Sequence, residues 1–255
     1  MKKLTTLLLL FLPTTFILAQ FQIGISGAFN GRAIANQNNY GFSELEYKPA
    51  FGGAYGLYAG IQFGGRHAFN VELNNITLGQ AYEETIDGSV LFKDVKLKYW
   101  QIPALFNIGI SRSVKGNITY LILGGYYSTL SSADITWKIN DKIVTMTEFQ
   151  EFSNRNSSIA KVKENLGSNK NPADYKTLFD NKDLGVIGGV GFKCLLSETL
   201  HLLIELRGGI GFTDINAKKW QIASNYKGSK NLFGGLKVGL GMSFGGKKQD
   251  NSLQK

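Results

Sequence analysis

The sequence predicts an all-β fold: one eight-stranded antiparallel transmembrane β-barrel of up-and-down topology, preceded by a signal peptide. Three observations predict it. The first is a period of two with an unusual choice of faces. From His201 to Phe212, Leu202, Ile204, Leu206, Ile210 and Phe212 share one parity, against His201, Leu203, Glu205, Arg207, Gly209 and Gly211. From Leu232 to Phe244, Leu232, Gly234, Leu236, Val238, Leu240, Met242 and Phe244 stand against Phe233, Gly235, Lys237, Gly239, Gly241 and Ser243. Such alternation is a strand, and a half-buried soluble sheet shows it too. A face of hydrocarbon opposite one of glycine and isolated charges, however, suits a closed sheet with lipid outside and every N–H paired within the ring. The second observation is the order of the connections: long, short, long, short, long, short, long after the first strand. Tight turns on one side of a membrane and longer loops on the other give that order, whereas Greek-key sandwiches have no reason to. The third is an export leader followed by no apolar run near the roughly 20 residues of a membrane helix, so any span is built of strands.

Residues 1–19 read as the leader: Lys2 and Lys3 supply the charge, Leu4 to Leu18 the apolar stretch, and Ala19 precedes the cut. No cysteine follows the apolar stretch, so the leader is not a lipoprotein signal. The barrel domain is expected over 20–246, with a long outer loop at 131–183 and a polar tail at 247–255. Glycine is plentiful (31 residues) and proline scarce (4), which suits glycine-rich strands better than a helical enzyme. The formal charge is +9, and removing Lys2 and Lys3 with the leader leaves +7. A basic exported chain is expected to meet outer-membrane lipid and lipopolysaccharide rather than nucleic acid. The single cysteine, Cys194, excludes an internal disulfide and a multi-cysteine metal site. It shares the apolar parity of its strand and reads as inert.

In order, the first strand is expected from Phe21 to Asn30, with Phe21, Ile23, Ile25 and Phe29 on the apolar parity, and a polar loop from Gly31 to Pro49 follows. The second runs from Phe51 to Phe63, with Phe51, Tyr55, Leu57, Ile61 and Phe63 opposite Gly52, Gly56, Gly60 and Gln62. Gly64-Gly65-Arg66-His67 is a hairpin turn, glycine supplying positive φ. The third strand, Ala68 to Gln80, sets Phe69, Val71 and Leu73 against Asn70, Glu72 and Asn74, and a polar loop is expected to about Phe92. The fourth, Asp94 to Ile110, contains Pro103, which demands a bulge or a missing ladder bond. A turn at Ser111 to Asn117 leads to the fifth strand, Ile118 to Leu130, and then to the long segment 131–183. There Trp137, Phe149, Phe152, Tyr175 and Phe179 suggest partial folding over the barrel mouth, and Ser157 to Asn165 a short helix. The sixth strand, Leu184 to Leu196, carries Val186, Val190, Phe192 and Cys194 against Gly185, Gly189, Gly191 and Lys193. A turn at Ser197 to Thr199 joins it to the seventh, and a loop at Asn216 to Lys230 leads to the eighth. Tyr99, Trp100, Tyr126, Tyr127 and Trp220 are read as interfacial girdles.

Tyr99-Trp100-Gln101-Ile102-Pro103 resembles the Tyr-Leu-Glu-Ile-Pro element of the PorT-like outer-membrane β-barrel family, a relative of the OmpA-like eight-stranded barrels. Asp183-Leu184-Gly185 with Gly188, Gly189 and Gly191 resembles that family's Asp-x-Gly strand. Glu205-Leu206-Arg207 with Gly211-Phe212-Thr213-Asp214-Ile215 resembles its Glu-x-Arg strand. Trp100 stands for the usual Leu, Gln101 for Glu, and the segment between the fifth and sixth strands is longer. The resemblance implies the fold and an outer-membrane location in a Gram-negative type of envelope; some similar proteins serve a gliding-associated secretion pathway.

If parity holds, Glu72, Gln101, Lys193, Glu205, Arg207 and Lys237 face the lumen. Charges in a narrow interior must be paired, and an eight-stranded barrel is just wide enough for side chains to fill, so these six read as a polar network that plugs the barrel. No catalytic, cofactor or metal site is expected. His67 and His201 both lie at the inner end, away from any surface substrate, and the glycines at 185, 188, 189 and 191 lack the helix and acid of a dinucleotide site, reading instead as lumen packing. The expected function is therefore non-enzymatic: a monomeric structural or interaction protein whose long outer loop is the contact surface for a protein partner. A small-solute pore and an accessory of a secretion pathway are the alternatives.

Overall fold

The computed structural model describes residues 19–35, 46–86, 88–145, 147–148, 152, 175–218, 221 and 227–245. Residues 1–18 of the leader, the tail, the expected helix at 157–165, Phe149 and Trp220 lie outside the described residues. Among the described residues ten strands form: β1 (Gln20–Ala35), β2 (Glu46–Lys48), β3 (Ala50–Phe63), β4 (His67–Ile86), β5 (Ser89–Arg112), β6 (Ile118–Ile139), β7 (Lys142–Val144), β8 (Lys182–Leu195), β9 (Leu200–Gly211) and β10 (Lys230–Phe244). Eight of them close a ring in the order β1-β3-β4-β5-β6-β8-β9-β10, every pair antiparallel, with β1 returning to β10 and β4 to β5. The short β2 and β7 are added outside the ring, on β4 and β6. Gly64 and Gly65 take φ of 57° and 73° in the first hairpin turn, as the glycine pair required.

Closure sorts the parities as expected. Phe21, Ile23, Ile25 and Phe29 of β1, Phe69, Val71 and Leu73 of β4, Leu206 and Ile210 of β9, and Leu236, Val238 and Leu240 of β10 are all exposed on the outside. On β5 the outward apolar run extends from Trp100 to Ile110, close to the 9–11 residues a tilted strand needs to cross a bilayer. Phe29 stacks on Phe51 at the outer rim, with ring centroids 5.4 Å apart, and Phe63 meets Phe106 at 5.7 Å at the inner one. A closed antiparallel barrel with a largely hydrocarbon outward face is the outer-membrane type of fold.

Pro103 lies where β4 and β5 lose two rungs: pairing runs from Val71↔Ala104 to Asn74↔Gln101 without a register change, while Pro103 keeps its partner Tyr126 on β6. The missing ladder bond, not a bulge, accommodates the ring. The register shifts on the β5–β6 side fall elsewhere, between Lys98 and Tyr99 and between Gly109 and Ser111.

The structure corrects five expectations. The loop expected from Gln80 to Phe92 is mostly strand: β4 and β5 continue to Ile86 and from Ser89, and β6 continues through Ser131 to Ile139. The described part of 131–183 is thus strand at both ends, with helical residues at 147–148 and 152 and a 3₁₀ turn at Tyr175–Leu178. In the loop at 31–49, β1 runs on to Ala35, and β2 occupies Glu46–Lys48. Tyr99 and Tyr126 are not girdle residues; both are buried inside the barrel, while their neighbours Trp100 and Tyr127 face out. Lastly, Gly188 has the outward parity of β8, so it is not lumen packing; Gly185 and Gly191 are, each lying under a tyrosine ring, Tyr126 and Tyr120.

Candidate functional site

β4 and β9 stand opposite each other in the ring, and the lumen charges meet between them. Arg207 of β9 donates twice to Glu72 of β4, Nη1 to Oε2 at 2.9 Å and Nη2 to Oε1 at 2.8 Å. This two-pronged geometry is the strong form of the guanidinium–carboxylate pair. Lys237 of β10 donates to the same Glu72 Oε1 at 2.6 Å, and Asn74 Nδ2 to Oε2 at 2.9 Å. Glu205 receives the Tyr120 hydroxyl at 2.7 Å; its other oxygen lies 2.6 Å from Arg207 Nη2, a charge contact rather than a well-angled hydrogen bond. Two acids and two bases, all shielded from solvent, balance to zero charge across the full diameter of the barrel.

Lys193 is not part of this lock. Its ammonium lies nearer the inner end, donating to Gln62 Oε1 at 2.8 Å, Gln22 Oε1 at 3.1 Å and Ser243 Oγ at 3.4 Å. Ser243 is 3.2 Å from His201 Nδ1, and the Tyr58 hydroxyl is 2.9 Å from His201 Nε2. Gln101 is buried on the lumen wall as expected, but its Nε2 has no hydrogen-bond partner and it does not join the lock. Of the six residues expected in one network, then, Glu72, Glu205, Arg207 and Lys237 come together, Lys193 belongs to a second group and Gln101 stands apart.

Several contributors escaped the sequence. Tyr58 and Tyr120 fill the lumen over Gly24 and Gly191. Asp183 gathers Thr213 Oγ1 at 2.7 Å, Asn231 Nδ2 at 2.9 Å and Tyr126 OH at 3.3 Å. Arg32 reaches from β1 to Asp94 Oδ1 and the Val95 carbonyl of β5, both at 2.6 Å. A large residue opposite a glycine on the next strand was the available signal for the tyrosines. Arg32 lay in an expected loop and gave none.

Voids beside the lock are small. One of about 30 Å³ is bordered by Ser26, Asn30, Asn74, Gln101, Arg207 and Lys237 among others, and one of about 10 Å³ lies beside Lys193 and Asn107. One water occupies roughly 10–15 Å³ on this measure, so the larger holds about two. Above the lock, Ile34, Ile76, Leu78, Tyr82, Leu91, Val95, Leu97, Tyr99, Leu130, Trp137, Phe179 and Ile215 form a buried apolar core, joined at its edge by Phe152, Tyr175 and Leu178. This core fills the mouth.

At the end opposite the tight turns, β4, β5 and β6 overrun the bilayer. At 20, 24 and 22 residues they are far longer than a span. Their upper parts form one sheet, edged by β2 and β7, with rungs such as Glu83↔Phe92↔Lys138 and Thr77↔Lys98↔Ser132. On its outer face the Phe92 ring lies between Lys48 and Lys138, with ammonium-to-centroid distances of 5.6 and 5.4 Å, and Lys48 is paired with Glu83.

No protein-family model and no curated protein matches the chain. Solved structures do. The outer membrane protein OprG from Pseudomonas aeruginosa aligns at a TM-score of 0.43 and 12% identity over 89% of this chain and 95% of its own. Neisserial surface protein A aligns at 0.41 and 11% over 88% and 97%. Ail of Yersinia pestis, in complex with a heparin analogue, aligns at 0.38 and 10% over 87% and 98%.

Proposed function

We propose that this outer-membrane barrel is a closed, non-enzymatic structural and interaction protein, acting as a monomer and presenting the β4–β5–β6 sheet and the segment 131–183 to the cell exterior. The observation that carries the reading is the Glu72–Arg207–Glu205–Lys237 lock, which crosses the lumen beneath an apolar core that fills the mouth. With the interior committed to holding the barrel shut, the overrunning sheet is the surface left for recognition. Ring closure supports the monomeric reading in so far as it leaves no unpaired strand edge in the bilayer. The one serine–histidine approach described above argues against catalysis, because His201 is fully buried beneath Tyr58, where no substrate reaches it. Kinship with the PorT-like family is part of the proposal: Gln101, Asp183, Glu205 and Arg207, which carry the resemblance, are all lumen residues.

The test is conductance in planar bilayers. The wild type should give no sustained single-channel steps, and Arg207→Ala with Glu72→Ala should introduce them or raise their frequency. Reproducible wild-type steps that a blocked lumen abolishes would replace this reading with the pore.

A further inference from the structure

We propose that the tight-turn end of the barrel, which faces the periplasm when the projecting sheet faces out, binds a carboxylate of an acidic peptide segment in a basic notch formed by Lys193, Arg66 and Arg112. This goes beyond the surface reading and concerns the opposite end of the molecule. The charges there are one-sided. In the turns at 64–66, 113–117 and 196–199 and the strand ends they join, the described charged residues are Arg66, Arg112, Lys115 and Lys193, with Glu198 as the one acid. Among the described residues none of these four cations stands in a salt bridge. The contrast lies within one lumen: Arg207 and Lys237 of the lock each meet two carboxylates, whereas the Lys193 ammonium meets two amide oxygens and a hydroxyl. A buried cation without a counter-charge is costly, and an anion brought to it removes that cost.

The notch is built to receive one. Buried Lys193 and exposed Arg66 line the same void of about 10 Å³, so it runs from the lumen to the mouth. Asn107, buried on its wall, has its side-chain oxygen unpartnered. No hydrogen bond among the described residues fixes that amide, and a half-turn presents its N–H to the void. At the rim, Arg66 directs Nε to His67 Nε2 at 3.4 Å, and among the described residues its two Nη groups have no acceptor. Arg112 lays its guanidinium on the same turn: a Cβ built on Gly65 would stand 2.8 Å from Arg112 Nη1. A void of one water's size takes a single oxygen. A carboxylate entering edge-on therefore sets one oxygen beside Lys193 and the other at the guanidinium forks. Val114 adds the sign of a peptide. It is 98% exposed at the apex of the β5–β6 turn, between Arg112 and Lys115. The turn is braced by the Gly116 N–H to the Ser113 carbonyl at 2.9 Å and the Asn117 N–H to Ser113 Oγ at 3.1 Å. A free ion would leave that apolar side chain unused.

The probe is fluorescein-labelled hexaglutamate, with the full-length barrel held in phosphatidylcholine nanodiscs that leave both ends open. Anisotropy at low ionic strength should show saturable binding by the wild type and by Lys142→Gln/Lys182→Gln, which removes as much charge from the other end. Arg66→Gln/Arg112→Gln should weaken binding by about tenfold or more, on the scale of lost charge-assisted contacts. Lys193→Gln, in preparations that keep heat-modified mobility, should weaken it several-fold, which a basic rim alone would not require. No saturable binding, equal weakening in Lys142→Gln/Lys182→Gln, unchanged affinity in either notch variant, or tighter binding of a labelled polyphosphate that the same variants lose would overturn the proposal. Conductance reads none of these outcomes, so the closed-barrel reading stands or falls separately.

Discussion

Removing the Glu72 carboxylate is the sharpest perturbation of the lock. In Glu72→Gln the shape is kept, but the acceptor of two Arg207 bonds, one Lys237 bond and one Asn74 bond, spanning 2.6–2.9 Å, loses its charge. The cluster passes from neutral to a net single positive charge with only Glu205 left to balance Arg207 and Lys237. Breaking a buried pair from one side costs about 3–5 kcal/mol, mostly because the surviving charge is stranded. Adding Lys237→Met to Glu72→Gln restores neutrality as a Glu205–Arg207 pair. The double variant should therefore be less destabilised than the sum of the singles, by about 1–3 kcal/mol on the scale of coupled neighbours. Urea titration in phosphatidylcholine vesicles, followed by tryptophan fluorescence and checked by heat-modified mobility, measures all three variants. A Glu72→Gln cost under about 1 kcal/mol, or strict additivity of the double variant, would refute the idea that charge balance across the lumen holds the barrel shut.

Other consequences follow from the same geometry. Leu206, 60% exposed on the lipid face, and Val238 should each cost roughly 2–4 kcal/mol as Leu206→Arg and Val238→Arg; insertion of both with unchanged mobility would contradict the lipid-facing parity. Gly191→Ala builds a Cβ into the Tyr120 ring and should cost about 1–3 kcal/mol, with Tyr120→Leu in the same chain relieving part of it; strict additivity in urea titration would count against this packing. Thr136→Cys, in a Cys194→Ser background, should react with an impermeant maleimide on intact cells, because the upper part of β6 lies outside the bilayer. Labelling only after outer-membrane permeabilisation would reverse the orientation.

The membrane-crossing part of each strand was legible because lipid imposes one rule along its whole length: hydrocarbon outward, small or polar residues inward. Hence Leu206, Leu236 and Phe29 point out, and Glu72, Glu205, Arg207 and Lys237 point in, as parity required. Tyr99 and Tyr126 were misassigned by treating aromatics as a class; their alternation with Trp100 and Tyr127 already placed them inside. Above the bilayer the rule inverts, since the outside becomes water and the inside must become the core. On β5 the buried apolar residues Leu91, Val95, Leu97 and Tyr99 hold the odd positions, and the lipid-facing Trp100, Ile102, Phe106, Ile108 and Ile110 hold the even ones. A reader seeking one continuous hydrocarbon face sees the pattern break there and ends the strand, as happened at the outer ends of β4, β5 and β6.

By itself, then, the chain determined the eight strands of the ring, the tight turns at one end and which charges face inward, because each depends on neighbours one or two residues away. Only closure of the ring decided which of those charges meet. Parity places a side chain inside but not at a height or opposite a partner. The stagger of the ring brings Glu72 across to Arg207, sends Lys193 to the glutamines at the inner end and leaves Gln101 outside the lock.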